Sequence, residues 1–312
     1  MPPLGNPLDI YTTYSPEDLL RALPHGEPTL RRVKQRLQAM LGTSVSHDVE
    51  TATQLAEKLR QPVTTCRRIA VLSMRGGAGK TTVAALVAIA LAQSRVDKVL
   101  ALDADPLLGS LALRVGTTSP TSIAQLGRTA PVFADFSEAE PHLGRTEHGL
   151  WVATGSKKAE TDPLDGDSYR AALSALTRFF AVAIIDCGVG TTSPVNAAVL
   201  TDAHAIALVT PATVDGVLSA HRALKSLRNS QSAHLLARIM VVLTSASPQT
   251  PKLDVSAVTR HGVPLVRIPH DRHLAAGTVI HPRLLAAATR ETVLRITANL
   301  LELATRSPRG TP

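Results

Sequence analysis

The residues best suited to chemistry lie in one glycine-rich stretch, residues 74–82, with the sequence Met-Arg-Gly-Gly-Ala-Gly-Lys-Thr-Thr. Because glycine has no Cβ atom, the backbone N–H groups of such a stretch can close around phosphate oxygens. The lysine can reach the outer phosphates of a nucleotide, and the first threonine hydroxyl can ligate Mg²⁺. The residues predicted to bind nucleotide phosphates are Gly76, Gly77, Ala78, Gly79, Lys80, Thr81 and Thr82.

The elements around this stretch have the order that a phosphate-binding loop requires. An apolar strand pattern, residues 69–73, precedes the glycines, and an apolar helix pattern, residues 82–92, follows them. A helix that starts directly after the loop points its N–H groups and its positive dipole end at a bound anion. A strand–helix turn with glycines placed by chance is the alternative, and the joint spacing of the glycines, lysine and threonine argues against it.

Acidic residues end two further strand patterns. Residues 98–106 have the pattern of a buried strand followed by Asp103 and Asp105, and residues 181–190 have a similar pattern around Asp186. Strands of a parallel sheet are apolar throughout because helices cover both faces, and ligands bind at their carboxyl ends. Each acid alone could instead cap a helix or sit in a turn. Together they predict one crevice where acids hold Mg²⁺ and position an attacking water.

The glycine-rich loop departs from the usual phosphate-loop pattern at its start. Met74 occupies the place of the first glycine, and a cation, Arg75, precedes a glycine pair. This arrangement resembles the deviant Walker A motif, Lys-Gly-Gly-x-Gly-Lys-Thr-Thr, of the MinD/ParA family of dimerising P-loop ATPases. In that family the first lysine reaches across a dimer interface to the partner's nucleotide. The resemblance, which covers residues 67–306, implies this role for Arg75, although Arg and Lys differ in geometry.

The resemblance also implies roles for the acids. Asp105 matches the second Asp of the family's switch I and would orient the hydrolytic water, with Asp103 as a supporting acid. Asp186 lies in the Walker B/switch II segment near Mg²⁺, and Gly190 lies near the γ-phosphate. With ATP and Mg²⁺ as cofactors, the implied catalytic residues are Arg75, Lys80, Asp105 and Asp186, and the implied metal ligands are Thr81, Asp103 and Asp186.

A segment near the C-terminal end, residues 267–277, resembles the family's Ile-Pro-x-Asp-x-x-Leu-x-x-Gly loop beside the base. The resemblance implies nucleotide contacts from Pro269 and Asp271. One departure concerns the strand before this segment, which in the family leads into an Asn that reads adenine. Here the strand leads into Thr244 and Ser245, so phosphate binding is predicted while selectivity for adenine is left open.

Four short segments narrow the resemblance. They are residues 66–73, 186–188, 213–216 and 268–274. Together they are similar to the actinobacterial MinD-like ATPases associated with type VII (ESX) secretion. This similarity implies an ATP-dependent homodimer with a protein partner in the type VII secretion machinery.

Composition is typical of a soluble cytoplasmic protein. The chain of 312 residues can bury a large core, and because aromatic residues make up only 3%, aliphatic side chains must fill it. The two cysteines, Cys66 and Cys187, suit neither a disulfide scaffold nor the cysteine pair of an iron–sulfur carrier. The start of the chain lacks the features of a signal peptide, and the apolar run 83–92 is too short to span a bilayer. We therefore expect no stable membrane insertion.

Hydrophobic spacing divides the chain into three parts. Residues 1–66 show helical spacing without a strand pattern, which predicts a small helical extension whose last helix spans about 47–60. Residues 67–306 alternate strand and helix patterns, which predicts an α/β domain with a mostly parallel twisted sheet and helices on both faces. Residues 307–312 form a polar tail.

Positive charge is concentrated in the last third of the chain. Residues 203–312 contain thirteen Lys/Arg and five Asp/Glu, an excess that equals the net charge of +8 of the whole chain. On the predicted helix 214–228, Arg222, Lys225 and Arg228 are candidates for binding DNA or another polyanion without sequence readout. An arginine-rich surface without a ligand is the alternative.

Three functions are consistent with these patterns. The first is a MinD/ParA-type switch, in which ATP drives a face-to-face dimer and hydrolysis releases it, so that a partner is localised or assembled. The second is a nucleotide-binding scaffold with negligible hydrolysis, in which Arg75 does not complete the site. The third is a ParA-like partition ATPase that binds DNA non-specifically.

Overall fold

A computed structural model defines the architecture of most of the predicted α/β domain. Of the predicted extension 1–66, residues 53–59 are helical, which lies within the third predicted helix. Residue 60 is a turn, and residues 1–52 of the extension and the tail 307–312 lie outside the described residues. The structure describes residues 53–105, 109–155, 163–230, 232–249 and 252–306.

Within the described residues, eight strands form one sheet. Its order is β3-β4-β2-β5-β1-β6-β7-β8, and all neighbouring strands are parallel except the β3–β4 pair. The predicted mostly parallel sheet is thereby confirmed. The strands are β1 (Arg67–Ser73), β2 (Val99–Ala104), β3 (Gly144–Arg145), β4 (Trp151–Ala153), β5 (Val182–Val189), β6 (Ala205–Pro211), β7 (Ile239–Thr244) and β8 (Leu265–Ile268).

Helices connect most of these strands. Short 3₁₀ turns at Glu140–His142, Ala233–Arg238 and Pro282–Leu284 complete the connections. Among the described residues, no helix is both long enough and apolar enough to cross a bilayer. The α-helices after β1 are α1 (Lys80–Ser94), α2 (Leu111–Val115), α3 (Ile123–Thr129), α4 (Phe136–Ala139), α5 (Gly166–Thr177), α6 (Pro194–Asp202), α7 (Val214–Arg228), α8 (Ser256–Thr259), α9 (Arg272–Ala275) and α10 (Ala287–Thr305).

The core lies on both faces of the sheet. Ile69 and Val71 belong to one buried cluster, and Ala70 and Leu72 belong to a second. Since successive side chains of a strand point to opposite faces, the two clusters lie on opposite sides. Helices α1 and α10 pack into the first cluster, and α5, α6 and α7 pack into the second. This three-layer arrangement explains why the strands are apolar in nearly every position.

The sheet brings the predicted site residues to one edge. Strands β2 and β5 are neighbours, with Asp103 directly opposite Asp186. On its other side β5 pairs with β1, where Asp186 lies opposite Val71, two residues before β1 ends and the glycine-rich loop begins. Asp103 and Asp186 therefore lie inside their strands, and Asp105 directly follows the end of β2.

Candidate nucleotide-binding site

The glycine-rich loop connects β1 to α1 in the conformation that anion binding needs. Gly77 and Gly79 have φ angles of 71° and 81°, a left-handed region that favours glycine. Helix α1 begins at Lys80, two residues earlier than the sequence pattern predicted, because Gly79 ends the loop in this conformation. The loop lines an open cavity of about 400 Å³ together with Lys80 and Asp105. The positive end of α1 therefore faces a space large enough for phosphates.

A buried ion pair lies beside the loop. The Nζ atom of Lys80 is 2.9 Å from Oδ1 of Asp186 and 4.0 Å from Oδ2 of Asp105. Burial alone would lower the pKa of Lys80, but the carboxylates of Asp186 and Asp105 raise it above its ordinary value. Burial raises the pKa of Asp186, although Lys80 opposes that rise. Each of the two buried charges is therefore stabilised by the other as long as no ligand replaces one of them.

The oxygen atoms around Thr81 fit a magnesium ion. Oδ2 of Asp186 is buried and has no hydrogen-bond partner among the described residues. The nearby Thr81 hydroxyl lowers the pKa of Asp186, and Ser110 Oγ donates to Thr81 Oγ1 over 3.3 Å. Carboxylate and hydroxyl oxygens suit Mg²⁺, which also keeps waters and nucleotide oxygens as ligands. Such further ligands are required, since the described residues contain no group of three or more His, Cys, Asp or Glu that could hold a metal.

Asp103, a predicted metal ligand, is buried and bonded to the backbone. Its Oδ1 accepts a hydrogen bond from the N–H of Asp105 (3.1 Å), and its Oδ2 accepts one from the N–H of Leu111 (3.2 Å). A Cβ atom at Gly109 would collide with this carboxylate. Burial, together with the nearby Asp186, raises the pKa of Asp103 to about 7. The Asp103 carboxylate therefore holds the backbone at two positions, Asp105 and Leu111.

Arg75 bonds to helix α7 of its own chain. Its Nη1 is 2.7 Å from Oδ2 of Asp215, its Nη2 donates to Oδ1 of Asp215 (2.8 Å), and its Nε donates to Oγ of Ser219 (2.9 Å). This forked contact is exposed to solvent, with half of the Arg75 side chain accessible. The role of Arg75 across a dimer stays a prediction. The sequence reasoning missed Asp215 and Ser219, although their i, i+4 spacing on a helix was available as a signal.

The segment after Asp186 is held by an asparagine that the sequence reasoning missed. The amide of Asn196 on α6 donates to the carbonyl oxygens of Gly188 (3.2 Å) and Gly190 (2.7 Å), and its oxygen accepts from the N–H of Gly188 (3.2 Å). The N–H of Gly190 also donates to the carbonyl of Ser73 (2.8 Å). A buried Asn within an apolar helix pattern was the available signal. These bonds fix the backbone of residues 188–190 against the end of β1.

The last residue of β7, where the resemblance implied an adenine-reading Asn, is bonded to the glycine-rich loop. The Thr244 hydroxyl donates to the carbonyl of Ala78 over 2.8 Å. A Cβ atom at Gly79 would lie 3.3 Å from Cγ2 of Thr244. Thr244 therefore bonds to the phosphate loop, and a side chain at Gly79 would crowd it as well as strain the positive φ of that residue.

Pro269 and Asp271, the two predicted base-side residues, line a second cavity of about 250 Å³. Asp271 is buried, and its Oδ1 accepts from the N–H groups of His273 (2.9 Å) and Leu274 (3.3 Å) at the start of α9. Its Oδ2 accepts from the N–H of Ala286 (2.9 Å), just before α10. The Asp271 carboxylate thus ties two helix starts together.

A buried arginine joins the two cavities, and the sequence reasoning did not identify it. Arg114 on α2 lines the phosphate-side cavity and donates to Thr82 Oγ1 on α1 over 2.9 Å. It also donates to the carbonyl oxygens of Thr278 (2.9 Å) and Leu274 (3.2 Å). Burial lowers the pKa of this guanidinium. Arg114 therefore connects α2, on which it lies, to α1 and to the segment 274–278.

The three polyanion candidates lie on α7, whose bounds agree with the predicted helix. Arg222 and Lys225 are exposed. Arg228 is also exposed, but its Nη2 donates to the carbonyl of His261 over 3.0 Å. The side chains of Arg222 and Lys225 thus face solvent and make no hydrogen bond or ion pair with another described residue.

Comparison with known proteins shows the family to which this domain is related. Residues 69–278 match the family model described as "CobQ/CobB/MinD/ParA nucleotide binding domain". The ESX-1 secretion-associated protein EspI of Mycobacterium tuberculosis is 33% identical over 268 residues, which cover 83% of this chain and 40% of EspI. The chain thus spans about two fifths of the length of these curated relatives.

Solved structures agree on the fold. The ParA family ATPase from Chlorobium tepidum has a TM-score of 0.62 and 20% identity, over 74% of this chain and 98% of that one. The cell division ATPase MinD from Pyrococcus furiosus has a TM-score of 0.60 and 24% identity, over 76% and 98%. With its sheet, glycine-rich loop and strand-end acids in place, the chain belongs to the CobQ/CobB/MinD/ParA family of nucleotide-binding domains.

Proposed function

We propose that this chain is a slow Mg²⁺-dependent ATPase that dimerises when ATP is bound and separates after hydrolysis. The main observation is that one sheet edge brings Lys80, Asp105 and Asp186 to the same phosphate loop. A cation, a possible water-orienting acid and a metal-ligating acid are the groups that phosphoryl transfer uses.

The Lys80–Asp186 pair suggests how nucleotide binding begins. An arriving phosphate competes with Asp186 for the ammonium of Lys80, whose raised pKa keeps it charged. Once Lys80 turns toward the phosphate, both oxygens of Asp186 become available beside the Thr81 hydroxyl. Mg²⁺, when bound, neutralises charge on the β- and γ-phosphates. Exchange of one charged partner for another avoids leaving either protein charge buried and unpaired.

Asp105 is placed to act on water. About a fifth of its side chain is exposed, and it lines the phosphate-side cavity opposite Lys80. Its backbone N–H is held by Asp103, so the loop position is fixed independently of the Asp105 carboxylate. A carboxylate held at the cavity wall can accept a hydrogen bond from a water and direct it at a phosphate.

Exposed apolar side chains around the cavity mouth support self-association. Leu113 and Val189 line the phosphate-side cavity, and both are more than one third exposed. Val214 and Leu218 flank Asp215 on α7 and are 67% and 43% exposed. Contiguous exposed apolar groups are typical of interaction sites. A second copy docked on this face would cover them and bring its own Arg75 to the nucleotide.

The contact between Arg75 and α7 favours a second candidate function. If Arg75 stays on Asp215 and Ser219 in the presence of nucleotide, no cation enters the partner's site. The chain would then bind ATP and act as a scaffold with negligible turnover. Phosphate release separates this candidate from the first.

The similarity to EspI supports a partner in the type VII secretion machinery. Because the match spans 40% of EspI, the proposal concerns the nucleotide-binding part of such a protein. Under this proposal the ATP-bound dimer binds the partner more tightly than the free chain does, which is what a switch requires.

Two measurements on the wild-type chain with ATP and Mg²⁺ test the proposal. Phosphate release and an ATP-dependent doubling of the sedimenting mass are expected. ATP binding without phosphate release would favour the scaffold. Failure to bind ATP in calorimetry would contradict both functions.

A further inference from the structure

The base-side cavity is lined mainly by apolar side chains. Val83, Leu86, Ile268, Pro269 and Leu274 supply most of its wall. Such a wall contacts a purine ring by shape and by apolar burial, which are similar for adenine and guanine. The side chains in the wall that could distinguish the two bases by hydrogen bonds are Thr82, Thr244, Ser245 and Asp271.

Two of these polar side chains are already bonded to the protein backbone. The single hydroxyl proton of Thr244 is donated to the carbonyl of Ala78. The Asp271 carboxylate accepts from three backbone N–H groups, those of His273, Leu274 and Ala286. Both can still accept a further hydrogen bond, Thr244 through a hydroxyl lone pair and Asp271 through the remaining acceptor capacity of its carboxylate. Adenine and guanine both offer N–H donors to such acceptors, so neither side chain excludes one of the two bases.

The other two are hydroxyl groups without a fixed direction. Ser245 Oγ accepts from Nε of Arg267 over 3.0 Å, and Thr82 Oγ1 accepts from Nη2 of Arg114 over 2.9 Å. Each hydroxyl keeps a rotatable proton and a second lone pair. It can therefore donate to the keto oxygen of guanine or accept from the amino group of adenine. The N–H of Ser245 is itself donated to the carbonyl of Ile268 (3.1 Å).

We infer that this site accepts either purine, so that ATP and GTP bind with similar affinity. The inference rests on the proposed function, since it requires that the phosphate loop binds a nucleoside triphosphate. A pocket that fits by shape rejects a similar ligand weakly, whereas a pocket with committed hydrogen-bonding groups rejects it by factors of about 10⁴. Nucleotide choice in the cell then follows the concentrations of the two triphosphates.

The test compares dissociation constants of the wild-type chain for Mg²⁺ complexes of ATP and GTP in calorimetry. Their ratio is expected to stay below about tenfold in either direction, since one neutral hydrogen bond contributes about 1 kcal/mol. A preference of tenfold or more for either nucleotide overturns the inference and leaves the proposed phosphate site intact. If neither triphosphate binds in a Lys80-dependent way, the proposed nucleotide site fails, and this inference fails with it.

Two variants and a control test whether the polar side chains of the base-side cavity explain the similar affinities for ATP and GTP. Ser245→Ala removes a hydroxyl that serves both bases, so the ATP:GTP ratio is expected to stay within about threefold of the wild-type ratio. Thr244→Asn adds an amide, whose NH₂ group only donates and whose oxygen only accepts. It should change the ratio of the ATP and GTP dissociation constants by fivefold or more, which corresponds to about 1 kcal/mol. Thr244→Ser keeps the bond to Ala78 and is the control. A large change in the ratio for Ser245→Ala, or none for Thr244→Asn, contradicts the inference.

Discussion

At the phosphate side Lys80 and Asp186 bond to each other, whereas at the base side Thr244 and Asp271 bond to the backbone. Lys80 and Asp186 form an ion pair that an arriving phosphate can replace. Thr244 and Asp271 donate to or accept from backbone groups that stabilise loops and helix starts. Charged partners that can be exchanged give affinity for a ligand, and polar groups bonded to the backbone give a rigid shape. The two sides should therefore respond differently to mutation.

The largest effect is expected from Lys80→Met on the phosphate side. ATP affinity should fall by about 100-fold or more in calorimetry, since a buried charge without its partner costs about 3 kcal/mol. The double variant Lys80→Met/Asp186→Asn removes both charges and is the control for folding. It should recover stability without recovering ATP binding. Strong ATP binding by either variant would mean that the ion pair is structural only.

The next effect separates binding from turnover on the same side. Asp105→Ala should slow phosphate release by about 100-fold, the lower range for loss of a positioned acid or base. ATP binding should persist, because Asp105 serves the water and Lys80 serves the phosphates. Parallel losses of binding and turnover would instead show that Asp105 is structural or a direct metal ligand.

A smaller effect of a different kind is expected on the base side. Asp271→Ala should lower the free energy of unfolding by about 1–2 kcal/mol in a urea titration, because two helix starts lose their bonding partner. ATP affinity of the folded variant should change little. Asp271→Asn keeps one acceptor oxygen and should lose less stability. Loss of ATP affinity with unchanged stability would restore the direct nucleotide contact that the sequence implied and would remove the contrast between the two sides.

The smallest effect concerns the surface outside both cavities. If the chain binds DNA, Arg222→Glu and Lys225→Glu should each weaken binding by about fivefold at low salt and reduce its salt dependence. ATP hydrolysis without DNA should not change. Arg283→Glu makes a similar charge change at another exposed position and is the control. An equal loss in the control would assign the effect to net charge, and no DNA binding by the wild type would end the DNA hypothesis.

The phosphate side was largely predictable from the sequence. Glycines, a lysine and acids at strand ends are residue types that the ligand itself demands, so the motif alone predicts their location. Helix α7 had the predicted bounds because Thr213 caps it through Gly216. The α/β class followed from alternating apolar patterns that a parallel sheet requires.

The contacts around that motif were not predictable in the same way. Asp103 stays a predicted metal ligand, and its bonds to the N–H groups of Asp105 and Leu111 could not be predicted from its position in the motif. Arg75 bonds to Asp215, which lies 140 residues later in the chain. Asn196 donates to the backbone carbonyls of Gly188 and Gly190. Strands β3 and β4, of two and three residues, are too short for a periodic pattern. Each depends on tertiary proximity, which spacing along one sequence does not encode.

The central claim is that nucleotide binding at the phosphate side controls association through the exposed face around Arg75. Sedimentation velocity of Asp105→Ala protein with ATP and Mg²⁺ tests it most directly, because slow turnover should preserve the ATP-bound state. The account predicts a dimer with ATP, a monomer with ADP, and a monomer in both states when Arg75→Ala is added. A monomer under saturating ATP, with binding verified by calorimetry, would contradict the account.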